Sequence, residues 1–333
     1  MRLLVFITLV FVVGCTKPKA DFMGVAVPVE TPLGLPPVPD PAPAAAVALG
    51  KSLFFSPALS VDGSVACANC HQPEKGFADP RAGSEGVKGA RGNRNAPSVW
   101  NAVYQRSQFW DGRAKTLEEQ ASGPMLNANE MGHTSNSVVA SVTADPKFRE
   151  MMAAAYGDDT VTMERIAKAL AAYERILVRG NSPFDRFVFG GDQAALSDEA
   201  KRGLELFRGK ANCATCHVIG KDYALFTDHQ FHNLGVGMDA TGELTDVGRF
   251  KITGQDRDKG AFRTPSLRNI AETAPYMHDG SLKTLKEVVD FYVGGGNANP
   301  QLDPVLRPLT MFTRQERADL VAFLESLTGE VKP

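Results

Sequence analysis

Residues 67–71 read Cys67-Ala68-Asn69-Cys70-His71, and residues 213–217 read Cys213-Ala214-Thr215-Cys216-His217. Cys-x-x-Cys-His is the attachment signature of haem c, because two thioethers fix the porphyrin while the adjacent histidine reaches the iron. Two copies in one chain point to two covalent haems, anchored by the four cysteines, with His71 and His217 as iron ligands. Three alternatives compete. Structural zinc needs four protein ligands, thioredoxin-like chemistry uses the cysteine pair without the histidine, and an oxidising compartment would allow disulfides.

Outward from these motifs the chain repeats itself. A similar helix precedes each one, Gly50-x-x-Leu53-Phe54 and Gly203-x-x-Leu206-Phe207. After each one, Pro97-Ser98-Val99-Trp100-Asn101 matches Pro265-Ser266-Leu267-Arg268-Asn269, and Asp111-Gly112 matches Asp279-Gly280, always 168 residues apart. Apolar residues recur at helical spacing in Met163, Ile166, Leu170, Tyr173 and Leu177, and again in Leu320, Phe323, Leu324 and Leu327. Thr116-x-x-Glu119, Thr284-x-x-Glu287 and Thr313-x-x-Glu316 are capping boxes that open helices. The pattern predicts an all-α chain of two small haem domains in tandem, arisen by duplication. They cover 46–190 and 191–333, divided at the Gly190-Gly191 turn.

Upstream, Met1-Arg2 and the apolar run Leu3 to Val13 read as a secretory signal, too short to span a bilayer. Val12-Val13-Gly14-Cys15 resembles a lipobox, so residues 1–15 are expected to be a lipoprotein signal peptide with Cys15 as the acylated residue. An ordinary signal peptide with an incidental cysteine is the alternative. Thr16, being non-acidic, implies the outer membrane facing the periplasm. Residues 28 to 45 hold seven prolines, and 16–45 are expected to be a Pro-rich tether. The net charge of -2 gives no indication of nucleic acid as a partner.

The two halves differ where chemistry would occur. On the helix opened by Thr284, Leu285, Val288, Val289 and Tyr292 share a face, which turns Tyr292 inward as a candidate second ligand of the His217 haem. A buried tyrosine is also ordinary core. The position 168 residues earlier is Pro124, which cannot bind iron, although the neighbouring Met125 could if the helix were rotated. Gln120 lies one turn before Pro124, and Glu130 follows. A sheltered carboxylate can move a proton between the oxygens of a bound peroxide; a solvated loop glutamate is the plain alternative.

These residues resemble the bacterial di-haem cytochrome c peroxidase and MauG family, from residue 45 to the C-terminus. The matching segments include Arg94-Asn95-Ala96-Pro97-Ser98, Phe109-Trp110-Asp111-Gly112-Arg113, Leu117-Glu118-Glu119-Gln120, Asn129-Glu130-Met131-Gly132 and Thr273-Ala274-Pro275-Tyr276-Met277-His278-Asp279-Gly280. The resemblance implies two cytochrome c-like domains. It implies a peroxide-reactive first haem with Glu130 and Gln120 on its open face, and an electron-relay second haem. By the same resemblance Trp110 is expected between the haems, and one calcium ion is expected at Asn95, Thr273 and Pro275. Tyr292 stands where typical peroxidases of the family carry methionine, and the MauG branch has tyrosine there. The loop from Gln72 to Arg94 has five glycines but no histidine or methionine, so the residue that blocks the first iron in typical members is missing. A first haem that is five-coordinate at rest is therefore expected.

The activity implied is reduction of hydrogen peroxide to water, with electrons from a small periplasmic c-type cytochrome or cupredoxin. The alternative is a MauG-like enzyme that uses peroxide to oxidise residues of a protein substrate; a third reading is a plain electron carrier. A homodimer is left open. His133 reads as an exposed loop histidine and Met277 as core packing, while His229, His232 and His278 are either propionate contacts or backbone partners.

Overall fold

A computed structural model describes residues 30–330. The signal peptide, Cys15 and most of the segment expected as a tether lie outside the described residues. The described residues form eleven α-helices: α1 (Ala44–Phe54), α2 (Cys67–Cys70), α3 (Leu117–Leu126), α4 (Ser135–Ala144), α5 (Pro146–Tyr156), α6 (Met163–Ile176), α7 (Pro183–Val188), α8 (Asp198–Arg208), α9 (Phe250–Thr253), α10 (Leu285–Val293) and α11 (Arg314–Glu325). The chain is not purely helical. Strands β1 (Phe231–Asn233) and β2 (Ala261–Arg263) pair antiparallel, with Phe231 opposite Arg263. Three residues per strand is too short for alternation to be read from sequence.

The helices start where their caps predict. Thr284 accepts from the Glu287 amide while the Glu287 carboxylate accepts from the Thr284 amide, and Thr313 and Glu316 do the same. At Thr116 the cap forms, but the Glu119 carboxylate takes the Lys115 amide instead. Both Gly-x-x-Leu-Phe helices cross a later helix closely. A Cβ at Gly50 would fall 1.8 Å from the Ala169 carbonyl oxygen of α6, and one at Gly203 would fall 2.0 Å from the Asp319 carbonyl oxygen of α11. The glycines let these backbones touch, and the following residues fill the core.

Two cores result. Leu49, Leu53, Phe54, Ile166 and Leu170 lie in the first, and Leu204, Phe207, Phe226, Leu320 and Phe323 in the second. Each such side chain contributes about 1.5–3 kcal/mol on burial. Phe184 of α7 also belongs to the second core, 5.0 Å from Phe226 between ring centroids. Packing therefore passes from one core to the other between Leu177 and Phe184, earlier than the Gly190-Gly191 turn.

The repeat is visible in the backbone. Asn101 and Asn269 both have φ near 60° (63° and 60°), as do Phe109 and Met277 (64° and 71°). Gln108 bridges Ala114 just as Tyr276 bridges Leu282. The halves meet reciprocally: the Asn95 amide donates to the His278 carbonyl at 2.7 Å, and the Arg263 amide to the Trp110 carbonyl at 2.8 Å. Positions 95 and 263, and 110 and 278, are each one repeat apart. This is the i-to-j, j-to-i contact pattern of a two-fold interface, here within one chain.

The proline-rich stretch is not a free tether throughout. Leu35 is buried, the Gly34 carbonyl accepts from the Ala224 amide at 3.1 Å and from the Arg268 guanidinium, and Tyr104 donates to the Pro36 carbonyl at 2.9 Å. Residues 33–36 thus strap both halves. Among the described residues no helix is long and apolar enough to cross a membrane.

Candidate paired haem sites

In each half the Cys-x-x-Cys turn wraps one short helical turn, so that the histidine amide donates back to the first cysteine carbonyl at 2.9 Å. The ring is then fixed from behind. His71 Nδ1 meets the Phe77 carbonyl at 3.1 Å, and His217 Nδ1 meets the Phe226 carbonyl at 2.8 Å. A carbonyl only accepts, so Nδ1 carries the hydrogen and Nε2 keeps its lone pair. Phe77 and Phe226 have φ of 52° and 53°, a left-handed turn that belongs to the repeat. Burial holds both imidazoles below the ordinary histidine pKa, neutral as metal ligands must be.

No disulfide joins the four motif cysteines, which sets the disulfide alternative aside. Zinc fares no better. Among the described residues the one cluster of three potential ligands is Cys216, Asp228 and His232, which includes a single cysteine of one motif. Each motif instead borders a cleft open to solvent and lined mostly by apolar groups, one around His217 and one around His71. Paired thiols, a neutral imidazole and an apolar cleft fit covalent haem c.

The pocket of His71 also brings together Gln120, Pro124 and Glu130. Pro124 sits inside α3 and borders the pocket, whereas Met125 is 1 % exposed in the first core. The helix rotation that would swing Met125 inward has not occurred. Glu130 accepts from Asn127 Nδ2 at 2.6 Å, and burial raises its carboxyl pKa against the lowering effect of that bond and of Arg113. Glu130 is half-buried in the turn after α3, at the edge of the His71 pocket. The Gln120 carboxamide is not engaged by any described residue.

Tyr292 borders the other pocket, beside Cys213, Cys216 and His217, and burial raises its phenol pKa. Met277 borders that pocket too, and its repeat partner Phe109 borders the first, so both face clefts rather than core. Trp110 is common to the two pockets, its Nε1 donating to the Asn95 carbonyl at 2.8 Å. Asn95, Thr273 and Pro275 all border the His217 pocket. His133 is buried, not exposed, with Nδ1 2.8 Å from Ser137 Oγ. His232 lies between Asp303 (2.6 Å) and Asp228 (2.9 Å), and His278 stacks on Phe262 at 3.6 Å.

Two pocket residues escaped the sequence. Glu174 is buried beside Cys67 in the His71 pocket, its pKa pushed up to about 8 by desolvation. A charge on the otherwise apolar face of Ile166, Leu170 and Tyr173 was the available signal. Arg263 borders both pockets.

Comparison with known proteins agrees with this geometry. The model of the di-haem cytochrome c peroxidase family matches residues 44–194, and that of cytochrome c matches residues 200–328. The methylamine utilization protein MauG of Methylorubrum extorquens is 41% identical over 285 residues, covering 85% of this chain and 78% of its own length. The chain belongs to the di-haem cytochrome c peroxidase and MauG family. It is an oxidoreductase of the peroxidase type, and its cytochrome c domains imply covalent haem c. The cytochrome c551 peroxidase of Nitrosomonas europaea is 37% identical, covering 85% of this chain and 79% of its own. The crystal structure of a MauG-like protein associated with microbial copper homeostasis has a TM-score of 0.77 at 35% identity, covering 91% of this chain and 95% of its own.

Proposed function

We propose that the chain reduces hydrogen peroxide to water at the His71 pocket, with electrons delivered singly by a small c-type cytochrome or cupredoxin through the His217 pocket. The observation that carries this is the asymmetry of the repeat. Pro124, Gln120 and Glu130 border the first pocket, and Tyr292 stands at the position of Pro124 in the second. Haem c supplies the redox-active iron when bound. His71 and His217 would hold it through Nε2, whose lone pair the Nδ1 bonds leave free, and Tyr292 would be a further ligand in its own pocket.

Glu130 is the proton carrier. Burial raises its carboxyl pKa and so makes the carboxylate a better base, one that takes a proton from one peroxide oxygen and returns it to the other. Gln120 orients the peroxide through its carboxamide. Trp110, in the wall of both pockets, passes electrons between the centres. Asn95 Oδ1 and the carbonyls of Thr273 and Pro275 are hard oxygen donors suited to one calcium ion. Calcium titration of the chelated protein is expected to show one site that Asn95→Ala weakens. The shared 168-residue offset supports duplication as the origin of the halves, and the lipobox at Cys15 supports a periplasmic location on a lipid anchor.

A second reading has one specific observation in its favour. Bound to iron, Tyr292 would give up its proton and offer an anionic oxygen, which would stabilise oxidised iron and make the second centre a poor acceptor from ordinary cytochromes. That suits a MauG-like enzyme drawing electrons from residues of a protein partner. Steady-state peroxide turnover with reduced cytochrome c separates the two. Rapid turnover supports the peroxidase, and a long-lived oxidised protein with negligible turnover supports the oxidase. A resting first haem that is six-coordinate in both the oxidised and reduced protein would overturn both.

A further inference from the structure

Arg263 is 2 % exposed, yet no carboxylate among the described residues pairs with it. The other buried or half-buried arginines nearby are differently placed. Arg268 grips Asp185 through two bonds of 2.9 Å, and Arg94 is held by Asp111 at 2.7 Å and Asp246 at 2.6 Å. The guanidinium of Arg263 has only carbonyl contacts, Nε to Phe109 at 3.4 Å and Nη1 to Thr264 at 3.3 Å, both beyond a normal N–H···O length. A buried unpaired cation is costly, and a protein retains one where an anion meets it. Burial lowers its pKa to about 10, which still leaves it charged at neutrality.

The side chain borders both pockets, in a wall shared with Asn95, Gln105 and Trp110. That wall has no carboxylate of its own to offer. The group both pockets are built to hold does, because a haem carries propionates. We propose that Arg263 is the counter-ion of a haem propionate in the wall between the two pockets, a positioning residue that orients that haem and raises its reduction potential. The proposal rests on both pockets holding haem c. The charge is one-sided, since the corresponding position of the first half is the neutral Asn95.

The test is a redox titration of each haem in the full, haem-loaded protein and in Arg263→Gln, followed optically and by electron paramagnetic resonance at several pH values. Haem per chain is counted alongside as the pyridine haemochrome. Loss of the cation is expected to lower one midpoint. The ratio of reduced to oxidised haem at fixed potential falls about tenfold, about 59 mV for a one-electron couple. The same midpoint becomes pH-dependent near neutrality as the unpaired propionate titrates, and Arg263→Lys recovers most of the loss. The haem that shifts identifies the pocket supplying the carboxylate. Two haems per chain with both midpoints unmoved overturns the proposal and leaves Arg263 as a brace on the Phe109–Trp110 backbone. Should Arg263→Gln fail to load haem, resonance Raman propionate bands of the unaltered protein and Arg263→Lys decide: a shift supports the contact and coincident bands overturn it. Fewer than two haems in the unaltered protein would count against the two-haem reading instead.

Discussion

In the first half the helix after the Asp-Gly turn presents Pro124 to its pocket; in the second half the equivalent helix presents Tyr292. Around these two positions the halves are nearly the same. Each has a histidine fixed by a phenylalanine carbonyl, a glycine-mediated helix crossing, and a backbone amide given to the other half. A scaffold this similar can hold two haems alike, so division of labour rests on a few side chains that break the repeat. The first half gains the Glu130 carboxyl and a mouth lined by a non-ligating proline. The second gains a phenol, a buried cation and a stronger ionic clamp.

The largest effect is expected from Glu130→Gln, which keeps the shape and removes the titrating group. The rate of reaction with peroxide should fall about 10²–10⁴-fold, as for loss of a general acid–base. The absorption of the second haem should stay the same. An unchanged rate would mean that the first pocket owes its reactivity to something other than this carboxylate.

Next comes the clamp. Arg268 holds Asp185 in a buried pair at 2.9 Å, while its repeat partner Trp100 packs edge-on against Phe77 at 5.0 Å. Asp185→Ala should cost about 3–5 kcal/mol in chemical denaturation, because it strands a buried guanidinium. Trp100→Phe, which nearly conserves packing, should cost less than about 1.5 kcal/mol. Equal losses would remove this difference between the halves.

The helix crossings are where the halves should agree. Gly50→Ala and Gly203→Ala each drive a methyl into a carbonyl oxygen, and each should cost about 1–3 kcal/mol. A large disparity between them would show that the two crossings are not mechanically equivalent.

The effect smallest per step of measurement is one of pH, spread over several pH units. Folded Glu174 holds its proton up to about 8, whereas the unfolded carboxyl releases it near 4.5. The folded state therefore binds more protons across that window. Stability should fall as pH rises through it, by up to about 1.4 kcal/mol per pH unit. Glu174→Gln should flatten this slope in urea titrations at successive pH values, and an identical slope would locate the carboxyl in water.

Much of this was legible in the chain. The haem motifs, the repeat, the inward face of Tyr292 and the Pro124 position are local patterns, and helical periodicity and caps placed the long helices. The two-stranded sheet was not legible, because three-residue strands carry too little alternation. Met277 and His133 were misjudged because a residue's face within an irregular turn depends on backbone angles that neighbouring residue types do not specify. The strap at 33–36 was hidden because its composition is that of a linker, and it is held by backbone carbonyls meeting Ala224, Arg268 and Tyr104.

By itself the sequence determined that two haem c sites exist, that their surroundings repeat, and which side chains break the repeat. These are statements about residue identity and spacing along one chain. Only the tertiary structure decided that Trp110, Asn95 and Arg263 form one wall between the pockets, and that Met125 turns into the core while Pro124 borders the cleft. The physical reason is that such contacts join segments far apart in the chain, where reciprocal amide bonds and close helix packing select a single arrangement.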